Sequence, residues 1–540
     1  MLSTMQDGPL SIARILRHGT GPLGAAEVVT WTGQQPRRSS YADLGRRSAQ
    51  LAHALRELGI SGDQRVATFM WNNAEHLEAY FAVPSMGAVL HTLNIRLPAE
   101  QVAHVANHAE DHVVLVDASL VPLFQKVLPS LNTVRHVIVS GADAELDVPA
   151  GIEVHDYEQL LAAQPDHFDW PEIDERSAAA MCYTSGTTGH PKGVVYSHRS
   201  IWLHSMQVCM SDGMCLSQAD RSLLVVPMFH AMAWGLPYAA LMVGASVIMP
   251  DRFLQPEPLA RMVASERPTM AAAVPTIWQG VLHYLDANPT EVSSLREVVV
   301  GGSACPPSLM RAFQERYGIS VLHAWGMTET SPLGSVARPP AGVTGEQLWE
   351  YRESQGRMPA AVEGRLVGDG GAELPWDGSS VGELEVRGPW VTATYHAEDD
   401  PEKFDNGWLR TGDVGHLSPD GFLRLTDRAK DVIKSGGEWI SSVELENDVM
   451  AHPAVAEAVV VGVPDEKWGE RPLVAVVLQE GEQASAEELR DFLASKVAKW
   501  QLPEYWAFIP EAPKTSVGKF DKKLLRQQHA AGQFEVRTVR

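Results

Sequence analysis

Tyr183-Thr184-Ser185-Gly186-Thr187-Thr188-Gly189-His190-Pro191-Lys192-Gly193 ends an apolar lead-in with a run of hydroxyls, glycines and one lysine. Glycine lets a backbone turn tightly and bring several amide N–H groups toward one anion. Four hydroxyl side chains and Lys192 add further donors, a set suited to a polyphosphate. The spacing is not Gly-x-x-x-x-Gly-Lys-Ser/Thr, because two residues separate Gly186 from Gly189 and Gly193 follows the lysine. A flexible surface loop is the plain alternative, and the ordered Pro-Lys-Gly ending argues against it.

Outward from this loop, strands and helices alternate. Leu44, Leu51, Leu55 and Leu58 mark one helical face that Gly59 ends, and Arg65–Met70 reads as a strand. Residues 101–108 read as a helix, followed by the strand Val113–Val116. Val298–Val300 leads into a Gly-Gly-Ser turn, and Pro306 and Pro307 open another helix. This order argues for layered α/β sheets, largely parallel, with ligands outside the carboxyl ends of the strands. Residues 381–386 and 421–425 alternate as half-exposed antiparallel strands do. A compact tail follows, with strands at 458–463 and 473–478 and helices near 442–447 and 486–496. A boundary near residue 429 divides a 1–428 domain from a 429–540 domain.

At 540 residues the chain exceeds what one core usually supports. Its 44 basic and 67 acidic side chains leave a formal charge of −23, so nucleic acid and anionic lipid are not expected partners. An anionic ligand must then meet a local basic pocket. Cys182, Cys209, Cys215 and Cys305 do not make a disulfide framework or a zinc set, and reduced, buried thiols in a cytoplasmic protein are expected. Met1–Asp7 lacks a basic segment followed by an apolar one, so no signal peptide is expected. No charge lies between Arg221 and Asp251, but Pro227, Pro237, Gly235 and Gly244 interrupt the stretch. A strand at 223–227, a short helix and a strand at 245–249 fit it better than a membrane span.

From about residue 40 to about residue 530 the chain resembles the adenylate-forming superfamily of acyl- and aryl-CoA synthetases, luciferases and peptide-synthetase adenylation domains. It is most similar in detail to bacterial medium- and long-chain fatty-acyl-CoA synthetases. The likeness includes His76-Leu77-Glu78-Ala79-Tyr80-Phe81-Ala82-Val83-Pro84, Val226-Pro227-Met228-Phe229-His230 and Lys434-Ser435-Gly436-Gly437-Glu438-Trp439-Ile440-Ser441-Ser442. The resemblance implies a large N-terminal domain of α/β sheets with a small β-barrel-like subdomain, and a small mobile α+β C-terminal domain. It also implies ATP, Mg²⁺ and coenzyme A as ligands and a homodimer.

His323-Ala324-Trp325-Gly326-Met327-Thr328-Glu329-Thr330 matches the family's nucleotide segment. Glu329 is the kind of oxygen ligand Mg²⁺ takes, and by resemblance Thr184 shares that metal while Thr328 contacts the α-phosphate. Trp325 stands where most members carry tyrosine, and either ring can stack on adenine. Gly301-Gly302-Ser303-Ala304 follows a strand, so its backbone can approach the adenine and, at Gly302, the acid. Asp413 and Arg428 match the residues that bind ribose; a structural ion pair is their dull alternative. The resemblance makes Lys519 the adenylation lysine and Lys430 the hinge. Lys430, Lys434 and Trp439 would contact nucleotide, and Gly436-Gly437-Glu438 would border the pantetheine channel.

A cation is what the first step needs, because an anionic carboxylate must attack an anionic phosphate. The same lysine must then withdraw so that a thiol can reach the acyl carbon, which domain rotation achieves in the family. In related fatty-acid enzymes a tryptophan at the Trp234 position gates an apolar acyl tunnel, and His230 shapes the pocket near the carboxylate. Without the resemblance, a core tryptophan is the better reading of Trp234. The expected activity is fatty acid–CoA ligation through an acyl-adenylate, with small thio-substituted acids left open. Three rivals stand against it: a peptide-synthetase module lacks its carrier domain here, a luciferase-like oxygenase its Ser-Lys-Leu ending, and a dead sensor would lack Lys519 or Glu329.

Overall fold

A computed structural model describes residues 1–540 except 2, 142–145, 185–190, 369, 436–437, 466, 517 and 540. It is an α/β protein built on three sheets. The first runs Glu153–Asp156, His136–Ser140, Asp111–Asp117, Arg65–Phe69, Val89–Thr92, Ala178–Tyr183 and Gly193–Ser197. All neighbours are parallel except the last pair, an antiparallel hairpin whose connection is the glycine-rich loop. Val113–Val116 is fully buried, as a strand covered on both faces must be.

The second sheet carries Glu27–Thr30, Ser246–Met249, Arg221–Leu223, Met270–Ala273, Glu297–Val300 and Ser320–Gly326 in parallel. It continues antiparallel through Leu333–Val336 and Gly356–Arg357 to Phe422–Arg428, Trp408–Leu417 and Gly382–Arg387. The third sheet begins at Ile433–Ser435 and includes Val455–Asp465, Gly469–Leu478 and Tyr505–Phe508.

Between the first two sheets lies the helix Ala74–Ser85, buried at every position. A helix apolar all round belongs in a core, and its two acids need partners there. Glu75 pairs with Arg37, while Glu78 accepts from Arg47 Nε at 2.6 Å and from Tyr157. The expected leucine-faced helix spans Tyr41–Glu57, opened by a Ser40–Asp43 capping box and followed by Gly59 at φ +88°.

Three local expectations need correction. The strand expected at 223–227 is Arg221–Leu223; beyond it only single bonds continue, such as Val226 N–H to Ala272 O at 3.1 Å, before Pro227. The tail helix ends at Leu493 rather than Lys496. Cys215 is exposed at φ +54°, so not every thiol is buried. Among the described residues no helix is long and apolar enough to cross a membrane.

One segment reverses the usual backbone hand. Ala231, Met232, Ala233 and Trp234 have φ of +42°, +50°, +49° and +57°, and Gly235 follows at +74°. A left-handed conformation costs an L-residue roughly 1–2 kcal/mol. A β-carbon at Gly235 would also stand 2.5 Å from the His204 ring, so glycine is required there on two counts.

Candidate active site

Two adjoining cavities of ≈ 370 and ≈ 340 Å³ open where the parallel part of the second sheet gives way to its antiparallel part. Both are lined by Gly302, Ala324, Trp325, Gly326, Arg428, Lys430 and Lys519. Ser303, Ala304 and Asp413 face the larger one. Thr184, Lys192, His230, Trp234, Thr328 and Glu329 face the other. Residues expected to act together, scattered from 184 to 519, therefore meet in one place.

Strand geometry positions the ribose candidates. Asp413 and Arg428 are direct partners across two antiparallel strands, with Arg428 Nε 3.4 Å from Asp413 Oδ1. The other carboxylate oxygen accepts from the Trp325 indole Nε1–H at 2.8 Å. This bond gives Trp325 a contact that the sequence did not announce: its N–H orients a buried carboxylate. Gly334 leaves room for the indole, since a β-carbon there would stand 2.2 Å from Trp325 Cζ3.

Glu329 is buried, and its Oε1 accepts from the Tyr395 hydroxyl at 2.8 Å. Thr328 is held through its carbonyl, which accepts from Tyr196 Oη–H at 2.8 Å. Thr184 and Lys192 close the base of the glycine-rich loop: Thr184 N–H donates to Lys192 O at 2.9 Å, and Lys192 N–H to Thr184 Oγ1 at 3.1 Å. The Lys192 ammonium contacts Asp400, lies 3.2 Å from Glu398 Oε1, and sits 4.9 Å from the Tyr395 ring centre. Burial works against its charge, yet the two carboxylates outweigh that and raise its pKa. Sequence reading missed Tyr395, Glu398 and Asp400; the acidic run 398–400 was the available signal.

Lys519 arrives on a tight loop. Thr515 N–H donates to Lys519 O at 2.7 Å, and Gly518 turns at φ +82°. Among the described residues three contacts pin this loop to the large N-terminal part: Asn94 Nδ2 to Ser516 Oγ at 3.2 Å, Arg96 Nη1 to Ser516 O at 3.2 Å, and Thr276 Oγ1 to Gly518 O at 3.4 Å. A β-carbon at Gly302 would lie 3.4 Å from Lys519 Cε and 3.9 Å from Trp234 Cζ2. Burial and the nearby Arg428 lower the Lys519 pKa to about 8, against the pull of Asp413 and Glu329. Burial, with Lys519 and Arg96, holds His230 near about 3, so it is neutral. Burial and Arg428 also lower Lys430.

Trp234 is buried with its indole edge against Gly301, where a β-carbon would stand 3.3 Å from Cη2. Lys434 lies elsewhere: it lines a separate ≈ 860 Å³ groove and pairs in register with Trp439 across a hairpin. Glu438 lies on that hairpin's second strand. Ser185, Gly186, Thr187, Thr188, Gly189, Gly436 and Gly437 lie outside the described residues.

Residues 21–396 match the AMP-binding enzyme family and residues 444–519 the AMP-binding enzyme C-terminal domain, so the chain belongs to the AMP-binding enzymes. Within that class it is an AMP-forming acid–thiol ligase. It is 44% identical to a medium-chain-fatty-acid–CoA ligase of Ectopseudomonas oleovorans, over 98% of each chain. It is 43% identical to a 3-methylmercaptopropionyl-CoA ligase of Ruegeria lacuscaerulensis, over 98% of this chain and 99% of that one. Identity is also 43% to a long-chain-fatty-acid–CoA ligase of Thermus thermophilus, over 98% and 97%. Among solved structures it is similar to the anthranilate CoA ligase AuaEII in complex with anthranoyl-AMP, with TM-score 0.88, 25% identity, and coverage of 98% of this chain and 100% of that one.

Proposed function

We propose that this enzyme activates a medium- or long-chain aliphatic acid with ATP and passes it to coenzyme A, releasing pyrophosphate and AMP. The observation that carries the reading is the Lys519 ammonium stem beside Gly302 and Trp234, in a cavity shared with Thr184 and Glu329. Ordinary carboxylic acids are ionised at neutral pH, so His230, itself neutral, shapes the pocket rather than acting as a base.

In the first step the acid's carboxylate attacks the α-phosphate of ATP, and the pyrophosphate leaves with the electron pair of the broken P–O bond. Lys519 stabilises the negative charge that crowds this transition state, an effect worth about 3–4 kcal/mol at comparable sites. Thr328 contacts the α-phosphate, Asp413 accepts from the ribose hydroxyls with Arg428 beside it, and Gly302-Ser303-Ala304 with Ala324-Trp325-Gly326 enclose the adenine. Lys192, with the loop 185–189, binds the outer phosphates.

Thr184 and Glu329 offer oxygen donors on one cavity wall, which fits Mg²⁺. Bound there with ATP, the ion would neutralise phosphate charge. Residues 429–540 form the mobile domain, with Lys430 as hinge and residues 1–428 as the adenylation domain. Rotation withdraws Lys519 and presents Lys434 and Trp439 to the nucleotide and Gly436-Gly437-Glu438 to the pantetheine. The coenzyme A thiolate then attacks the acyl carbon and AMP leaves. The same proposal includes a homodimer through the N-terminal region and a cytoplasmic location.

The apolar flank of the smaller cavity, with Met214, Ala231, Trp234 and Leu333, supports an aliphatic acid. A second reading, a short thio-substituted acid, is favoured by the indole edge against Gly301 at the wall of the smaller cavity and by the methylmercaptopropionyl relative. A panel of straight-chain, thio-substituted and aryl acids with ATP and CoA, read by AMP release, tests both. Preference for aryl acids, or no acid-dependent pyrophosphate exchange with any acid, would remove the proposal.

A further inference from the structure

At the edge of the first sheet, far from the cavities, two parallel strands bring three ligand-type side chains together. His136 pairs in register with Glu153, and Ile138 with His155. Since strand side chains alternate faces, Glu153 and His155 share one face. His136 Nδ1 lies 3.2 Å from His155 Nε2. Glu153 Oε2 lies 3.5 Å from the first nitrogen and 3.8 Å from the second. Among the described residues this is the one group of three or more His, Cys, Asp or Glu ligand atoms close enough to share an ion.

The triangle has the size a metal needs. Corners at these separations are each about 2.0 Å from a common centre, which matches Zn–N and Zn–O bonds of about 2.0–2.2 Å. We propose that His136, Glu153 and His155 form a binding site for a divalent transition-metal ion of the Zn²⁺ class, distinct from the Mg²⁺ that accompanies ATP. Two imidazoles and one carboxylate suit such an ion, whereas Mg²⁺ takes oxygen ligands in octahedral array. The imidazoles are about four-fifths covered and Glu153 is 70% exposed, so a route from solvent and a place for a water remain.

The consequence is structural. Strand Glu153–Asp156 is a sheet edge, and five strand steps of about 4.8 Å separate it from the strand that leads into the glycine-rich loop. A bound ion would fasten this edge to its neighbour without touching the ligase chemistry.

The test uses the full-length protein, stripped of metal and titrated with ZnCl₂ by calorimetry. One ion at about micromolar Kd or tighter is expected, with a raised melting temperature, and Co²⁺ should give the intense visible bands of a low-symmetry nitrogen–oxygen site. His155→Ala should weaken Zn²⁺ binding more than about a hundredfold, beyond what losing an outer-shell partner costs. Glu153→Gln, at an exposed position that tolerates the change, should weaken it about tenfold or more. Both variants should keep the wild-type rate with Mg·ATP, which establishes that they fold. Equal Zn²⁺ affinity in wild type and both variants, or no binding by the wild type, would overturn the proposal.

Discussion

The Trp325 indole donates its only N–H to Asp413 Oδ2 at 2.8 Å, across 88 residues of sequence. Both side chains are buried, and Arg428 reaches the other oxygen of the same carboxylate. A buried carboxylate held by one hydrogen bond and one ion pair presents a fixed edge to the cavity instead of a rotating one. Hydrogen bonds to charged groups contribute about 1.5–3 kcal/mol, and Arg428, half exposed, retains part of that if the indole is lost. Trp325→Phe should therefore raise the ATP KM about tenfold, while Trp325→Tyr, which restores a donor, should raise it less. Steady-state kinetics at saturating acid and CoA decides; identical KM values for wild type and Trp325→Phe would show that the bond does not orient the nucleotide.

Lys519→Ala should lower acid-dependent pyrophosphate exchange about 10²–10³-fold. The same protein, given synthetic acyl-AMP and CoA, should form thioester at close to the wild-type rate. Parallel loss of both half-reactions would place the lysine outside the adenylation chemistry.

The pH dependence carries two opposite signs. Lys519 in place has a pKa of about 8, below its ordinary 10.5, so docking the loop sheds protons between those values. Docking is thus increasingly favoured as pH rises through about 8 to 10.5, and that gain is absent below about 8. On the proposed role of Lys519 adenylation needs the cation, so kcat/KM for ATP should fall as pH rises through about 8. In Lys519→Arg, which stays charged, the fall should disappear. A descending limb unchanged in Lys519→Arg would assign it to another group.

Trp234→Ala opens the space beside Gly301 and Gly302. The favoured chain length should increase by several carbons, with the ATP KM changed less than about threefold, as the proposed place of the indole in the acid pocket requires. An unaltered acid profile would rule the indole out as the depth-setting group.

Arg96 holds the Lys519 loop through Ser516 O at 3.2 Å. Arg96→Ala should slow pyrophosphate exchange about tenfold, the effect of losing one charge-assisted hydrogen bond, and leave thioester formation from acyl-AMP unchanged. Slowing of both steps alike would mean that Arg96 acts on the pocket and not on docking.

Legibility followed sequence distance. The helix 41–57 was readable because Leu44, Leu51 and Leu55 share one face of it, and Leu58 and Gly59 close its end. The cavity residues were readable through ordered motifs, and the fold brings the described ones together apart from the 434–439 hairpin. What could not be read was pairing across long separations. Tyr395 reaches Glu329 over 66 residues, and Asp400 reaches Lys192 over 208, with no periodicity to announce either. The left-handed turn was equally hidden, because Ala231-Met232-Ala233-Trp234 has the composition of an ordinary right-handed helix. Only tertiary packing overrides that preference.

That turn ties selectivity to discomfort. Four successive non-glycine residues are kept in a mirror-image backbone, and the last of them is the tryptophan whose indole edge meets Gly301. Exchanging Ala231 or Ala233 for glycine would relieve one strained position and unfasten the indole's anchorage together. On the proposed role of Trp234 in setting pocket depth, a hardier protein and a less discriminating one should here be the same variant, so breeding this enzyme for heat tolerance alone should drift toward indifference about which acid it accepts.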